Sequence, residues 1–378
     1  MRRQASAILA LLLFSVVISS SQIGVVKAEN TIYIRADGSV EGTDKIQREG
    51  NVYALTGNIN GSIVVEKNNI TIDGNGYTLQ AGIGTGIYLF GRESVAVRNT
   101  QIKTFGYGIM LNSSSNNHIN GNNITENHGD GIYIYSSNYN SISGNNITDN
   151  GNGIVLGSYS NYNRISENKI ANNGFGINLW DSSNNSISGN NITANRYAGI
   201  RLSYSSNHNS ISGNNITNHS EGITLLSSSN NSLSENSITN NEFCIRMESY
   251  SSNNSIIGNN ITNSDWGVYL HYSYNNIFYH NNFIGNRNYT LAGASTSVWD
   301  NGAEGNYWSD YKERYPNATE IDNTGIWDTS YIINEKNRDN YPLVNVIPEF
   351  PSWIILPLFL MVTFVGVIVR KRLPPRSC

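Results

Sequence analysis

Charge is scarce in this chain. Charged residues make up 14% of it, against about 25% in ordinary globular proteins, and the formal net charge is −4. No basic block stands outside the C-terminal tail, so the electrostatic footprint of a nucleic-acid-binding protein is missing. Cysteine is nearly absent. Cys244 and Cys378 are expected on opposite sides of a membrane (below), which excludes an intramolecular disulfide and a cysteine metal cluster. Between the two ends of the chain the apolar residues stand singly or two apart, with no run suited to a helix. No phosphate loop, Ser-His-Asp order or metal-ligand signature appears. Rigidity must therefore come from stacking.

One motif recurs instead. A Gly-Ile start, an Asn-rich bend and two further isoleucines open at Gly86, Gly108, Gly131, Gly153, Gly176, Gly199, Gly222, Cys244 and Gly267, in steps of 22 or 23 residues. A fixed period in this range marks a solenoid. Within one unit, Ile177 and Leu179 are two apart, and single isoleucines follow at Ile187 and Ile192. That is strand periodicity. Three short strands fit each coil, and a coil buries its apolar face only by stacking on its neighbours. The predicted fold is an all-β, right-handed single-stranded parallel β-helix. Nine such coils at about 4.8 Å each make a rod roughly 40 Å long.

Parity sorts the side chains. Asn117, Asn140, Asn163, Asn185, Asn209, Asn231, Asn254 and Asn276 precede a core residue by two, as do Asn122, Asn145, Asn168, Asn190, Asn214, Asn236, Asn259 and Asn281. Both series should face inward as hydrogen-bonded ladders. Asn123, Asn146, Asn191, Asn215 and Asn260 precede the core isoleucine by one. They should face solvent, and each starts an Asn-Ile-Thr sequon of the kind glycosylated in exported chains.

The two ends read as targeting segments. Arg2-Arg3, an apolar stretch and Val26-Lys27-Ala28 resemble a secretory signal peptide over 1–28. Trp353 to Val369 is an apolar run at the short limit of a membrane span. The basic residues of 370–378 follow it and should stay cytosolic, leaving the rod outside the cell. Residues 29–85 read as an N-terminal cap and lead-in coils, 86–288 as the regular coils, and 289–346 as a C-terminal cap. The segment 347–352, with Pro348-Glu349-Phe350, resembles archaeal Pro-Glu-Phe sorting signals, which implies a sorting transpeptidase as a partner.

Ile70-Thr71-Ile72-Asp73-Gly74, the Asn-Asn-x-Ile-x-Gly-Asn-Asn-Ile coils, Gly305-Asn306-Tyr307-Trp308-Ser309-Asp310-Tyr311 and Asp339-Asn340-Tyr341-Pro342-Leu343 together resemble the NosD-type "periplasmic copper-binding" β-helix family. That name implies copper. Here His118, His128, His208, His219, His271 and His280 are scattered, and Met110 and Met247 lie far apart by coil count, whereas copper sites need clustered ligands. The resemblance also implies an acidic turn in the cap. Asp322, Thr324 and Asp328 occupy it and would suit Ca2+, with an Asx turn as the plain alternative.

Polysaccharide-active β-helices work on one outer face. Outward positions on the first strand include Tyr88, Tyr133, Arg201, Arg246 and Tyr269, and the next outward row includes Tyr135, Trp180, Glu248 and His271. Tyr88, Tyr133, Tyr135, Trp180, Arg201 and Tyr269 are expected to hold a glycan, with aromatics stacking on sugar rings. Glu221, Glu248, Asp265, Arg246 and His271, with Glu242 nearby, form a candidate catalytic group. Paired carboxylates could serve glycoside hydrolysis, and Arg or His near an acid could serve proton abstraction. Solvated rungs and turn charges are the bland alternative. Three functions stand: a glycan-binding surface rod, an anchored polysaccharide lyase, hydrolase or epimerase, and a structural surface-layer spacer.

Overall fold

From Asn30 to Pro348, the residues described by the computed structural model, the chain winds as the predicted parallel β-helix. Three axial sheets of 13, 12 and 12 strands run its length. Each regular coil gives the first sheet a longer strand, such as Tyr107–Asn112, then the second and third sheets short ones, such as His118–Asn120 and Asn123–Thr125. Coils pair in register: Ile109 beside Ile132, Ile119 beside Ile142, Ile124 beside Ile147. The isoleucine and leucine columns are buried throughout.

Both predicted asparagine ladders are inside, and their bonds run along the rod. The N–H and Nδ2 of Asn145 both donate to Asn168 Oδ1 at 3.0 Å, and its Nδ2 also donates to Ile119 O at 2.9 Å. Each amide thus satisfies the backbone of a corner where coils leave one sheet for the next. Two further buried ladders exist. Asn127, Asn150, Asn173, Asn195, His219, Asn241, Ser264 and Asn286 line the third corner, and Ser114 through Ser295 the first. Strand parity does not carry around a corner, which is why the sequence pattern missed them.

The glycine that opens each coil faces inward beside the third ladder. A Cβ at Gly222 would lie 2.6 Å from Cys244 O and 3.2 Å from Asn241 Nδ2. At Cys244 the glycine is replaced, and in that coil the ladder residue shrinks from asparagine to Ser264, whose Oγ lies 3.0 Å from Sγ. Burial pushes the Cys244 thiol up to about 12, so this cysteine is packing, not a nucleophile.

The stack extends beyond the regular repeat at both ends. Thr31–Ile34 already pairs in parallel with Ser62–Val65. The first coil is closed by antiparallel strands, Val40–Glu41 on Thr31–Ile34 and Ile46–Glu49 on Val52–Leu55, which cover the edge an open coil would expose. At the far end Asn288–Ala292 adds a strand to the first sheet and Tyr307–Trp308 to the third. Aromatic rings finish the core columns. Trp299 stacks on Phe278 at 4.3 Å, Trp308 on Phe283 at 4.2 Å, and Tyr331 on Trp308 at 4.1 Å. Residues 305–308 and 339–343 interlock: Gly305 N–H donates to Tyr341 O, and Leu343 N–H to Asn306 O.

Among the described residues the helix Tyr311–Arg314 is four residues long, and no helix is long and apolar enough to cross a membrane. The leader of 1–28, the run Trp353–Val369 and the basic tail lie outside the described residues, as does the sorting segment beyond Pro348.

Candidate functional site

The outer face of the first sheet carries three axial columns. Two are those expected, running from Tyr88 to Tyr269 and from Phe90 to His271. The third holds Tyr107, Asp130, Asn152, Ala198, Glu221, Phe243 and Trp266, matched by strand register. Parity hid this column because the opening glycine and the isoleucine after it both face inward, breaking the alternation at that point.

In the early coils this face is largely closed. Met110, Tyr133 and Val155 are buried beneath Tyr88, Tyr107, Tyr135 and Trp180. Tyr133, expected to stack on sugar, is 7% exposed because its ring stacks on Tyr107 at 5.5 Å and leans on Tyr135 at 6.1 Å. Tyr88, Tyr135 and Trp180 are half-buried. Trp180 lies over Gly157, where a Cβ would come within 2.5 Å of the indole. Asp130 sits at the edge of this patch and accepts a 2.8 Å hydrogen bond from Asn152 Nδ2. Burial pushes its carboxyl up to about 6.

The later coils open into a cleft of about 260 Å3 lined by Phe175, Tyr197, Arg201, Ser220, Glu221, Thr224, Leu226, Arg246 and Glu248. Arg246 bridges two glutamates one coil apart. It donates to Glu221 through one Nη, and to Glu248 Oε1 through the other at 2.8 Å and through Nε at 3.1 Å. Thr224 Oγ1 donates to Glu221 as well. Arg201 differs: among the described residues it has no carboxylate within ion-pair distance. Its Nε is buried without a hydrogen bond, and its guanidinium lies 5.2 Å from the centre of the Phe175 ring. The Phe175 and Tyr197 rings, 5.1 Å apart, make the apolar wall.

Arg201, Glu221, Arg246 and Glu248 are thus brought together. Glu242 and Asp265 are not: they rim a separate shallow depression with Arg287, and Glu242 accepts from Ser220 Oγ. His271 is one rung beyond Glu248, exposed, with its ring 4.3 Å from Tyr272. Tyr269 packs edge-on against Phe243. Phe175, Tyr197 and Ser220 are the cleft residues that strand parity does not single out.

The sequon asparagines face outward on the third sheet as expected, though stacked rather than free. Asn146 Nδ2 donates to Asn123 Oδ1 at 2.7 Å, and Asn215 Nδ2 to Asn191 Oδ1 at 3.1 Å. In the cap, Asp328 accepts hydrogen bonds from Thr319 and Thr329, and Thr324 Oγ1 donates to Ile321 O. Asp322 stands exposed beside them. The copper donors do not converge either. Met247 is in the core, and both ring nitrogens of His219 are taken by backbone groups. Among the described residues no three of His, Cys, Asp or Glu are grouped to hold a metal ion. A copper centre does not fit these side chains.

The fold has solved counterparts. A periplasmic alginate epimerase AlgG variant superposes with a TM-score of 0.54 at 18% identity, covering 70% of this chain and 81% of its own. The A-module of the Azotobacter vinelandii mannuronan C-5 epimerase AlgE6 gives 0.52 at 16%, covering 65% and 74%. The catalytic domain of a GH87 α-1,3-glucanase, solved with tetrasaccharides, gives 0.55 at 17%, covering 67% and 57%. At such identity the likeness is one of fold. No curated protein matches the sequence. The family profile described as "right handed beta helix region" matches residues 16–163 and 58–216, and that of the "periplasmic copper-binding protein (NosD)" matches 158–313. The former profile spans more than half of the chain, which therefore belongs to the right-handed parallel β-helix family, with its later coils and the start of its cap similar to NosD.

Proposed function

We propose that the protein is an exported rod that binds a polysaccharide across the outer face of its first sheet, without turning it over. The observation that carries this reading is the cleft at Arg201. There an aromatic wall, Phe175 and Tyr197, faces Arg201, Glu221 and Glu248. A pyranose presents the same two chemistries, an apolar ring face and a rim of hydroxyls, and aromatic rings attract the polarised C–H groups of the former. The solved β-helices reported above are named for polysaccharide chemistry, which supports a glycan over other ligands. The leader-like start and the apolar run Trp353–Val369 support an anchored position outside the cell. Intact-mass measurement of native protein tests sorting at Pro348-Glu349-Phe350, through a mature C-terminus near Pro348, and glycosidase treatment tests use of the sequons.

A glycan array with product detection tests the function. Binding without products, lost in Tyr197→Ala and Arg201→Gln, is the expected result. One observation favours a second reading, an anchored lyase, hydrolase or epimerase: two glutamates flank one arginine inside the cleft. Products that vanish in Glu221→Gln or Glu248→Gln would establish it. Neither binding nor products would leave a structural spacer.

A further inference from the structure

The most exposed aromatics of the rod are not on the sheet face. They stand at the corner where the first sheet turns into the second. Tyr159, Tyr204 and Tyr250 are 67%, 72% and 69% exposed.

Their placement follows from a difference in coil length. In the coils ending the first strand at Tyr135, Trp180 and Leu226, the buried corner serine comes two residues later, and its Oγ donates to the carbonyl of that strand end. In the coils ending at Gly157, Ser203 and Glu248 it comes three residues later, and Ser160, Ser206 and Ser251 reach back across the extra residue. From the coil ending at Gly157 to the one ending at His271 the extra residue recurs in every second coil, whereas the coils ending at Asn112 and Tyr135 both lack it. Each time, one of the two corner residues is a tyrosine.

These tyrosines have φ values of 62°, 52° and 66°, a left-handed conformation that glycine and asparagine adopt readily and bulky side chains avoid. A large ring is thus held outward against local preference at this corner in alternate coils, on the second corner residue at Tyr159 and Tyr250 and on the first at Tyr204. Two coils advance by about 9.6 Å along the axis. One coil therefore advances by close to one pyranose of an extended 1,4-linked β-chain, and two coils by its repeat. In such a chain alternate rings present the same face.

The rest of the corner is polar and nearly uncharged: Ser183 and Ser229 share an outer ladder with Asn138, Asn161 and Asn207, the Tyr139 and Tyr162 rings stack on each other, and Asp181 is the single Asp, Glu, Lys or Arg between Ser136 and Ser252 at this corner. Its electrostatic complement is an uncharged, hydroxyl-rich polymer, not a polyanion or a lipid surface. We propose that Tyr159, Tyr204 and Tyr250 form an axial track for an extended, neutral 1,4-linked β-glycan, each ring stacking on every second sugar. This rests on the glycan-binding reading above and adds to it the ligand's linkage, charge and direction.

The test uses the full-length protein with cello-oligosaccharides of two to six sugars and with laminari-oligosaccharides, whose 1,3-linked β-chain curls. Three sugars span two tyrosines and five span three. Affinity is expected to rise in steps at three and five sugars for the 1,4-linked series only. The triple variant Tyr159→Ser, Tyr204→Ser, Tyr250→Ser should lose about ten-fold or more in affinity for the five-sugar ligand at unchanged melting temperature, since serine already occupies this corner elsewhere. The single variant Tyr204→Ser should remove the step at three sugars. Equal affinity of wild type and triple variant, or affinity indifferent to length or linkage, overturns the track. If binding falls in Arg201→Gln but not in the triple variant, the track fails while the cleft stands. If wild type binds no glycan, both fail.

Discussion

The indole Nε1–H of Trp308 donates a 2.9 Å hydrogen bond to Asp339 Oδ2, across 31 residues of sequence. The same oxygen accepts the backbone N–H of Asn306 at 2.7 Å. One buried carboxylate thus joins the last strand of the third sheet to the closing hairpin. This gives physical content to the two cap motifs, which are the halves of one interlock. Trp308 also completes a core column, between Phe283 and Tyr331.

Trp308→Ala should therefore remove an end plate and strand Asp339 at once. The expected loss is roughly 3–5 kcal/mol, read from denaturant unfolding. Gly305→Ala should fail for a separate reason, since its Cβ would lie 1.8 Å from Asp339 Oδ1. A wild-type midpoint in either variant would show that the cap folds independently of the rod.

Cys244 and Ser264 depart from the repeat together, and the structure explains both by one contact. Ser264→Asn alone should crowd the thiol, and Cys244→Gly alone should leave a gap; each should cost about 1–3 kcal/mol. The double variant restores the Gly–Asn pair of the other coils and should recover most of the loss. Its coupling should fall within roughly 0.5–3 kcal/mol. Additive losses in the double-mutant cycle would refute the linkage.

His219 is a defect in an asparagine ladder. Its Nδ1 accepts the Asn195 N–H at 3.0 Å, and its Nε2–H points at Ile192 O at 3.1 Å. These partners require a neutral ring, and burial holds its pKa below the usual histidine value of 6.5. As pH falls past that value the unfolded chain takes up the proton first. Stability contributed here is therefore present above about pH 6.5 and lost as pH drops toward the folded value. His219→Asn should flatten that acid slope in melting temperature measured from pH 7.5 to 5. An unchanged slope would place the acid sensitivity elsewhere.

How far the sequence spoke is clear from particular residues. Ile177 and Asn185 were readable because a 22–23-residue period and an alternation of two place them inside without knowledge of any neighbour. Asn127 and Asp130 were not, because each lies where the backbone turns a corner or doubles its inward side, and alternation fails there. The first coil at Thr31–Ile34 lacks the Gly-Ile opening altogether; antiparallel pairing, not repetition, holds it. Alternation places Tyr133 on the outer side of the sheet, where it lies, but its burial depends on Tyr107, a neighbour one coil away in a column that parity does not reveal. Of the candidate site, Arg201, Glu221, Arg246 and Glu248 were legible as axial neighbours. The corner tyrosines were not, since their meaning lies in a single extra residue per two coils.

Asp130 offers the last test, because it is a carboxyl that the outer face buries with one amide partner. It accepts from Asn152 Nδ2, lies near Tyr133 and Tyr107, and is pushed by burial from 3.8 up to about 6. A folded value above the unfolded one favours the protonated form. The stability it contributes is complete below pH 3.8 and is lost as pH rises through about 6. Asp130→Asn keeps the shape and the acceptor while removing the charge. It should match wild type near pH 4 and exceed it near pH 8 by about 1–2 kcal/mol, after allowance for partial exposure. If the two proteins instead keep a constant difference across that range, Asp130 is solvated as an ordinary surface carboxylate, and the closed patch around Tyr133 is looser than its packing indicates.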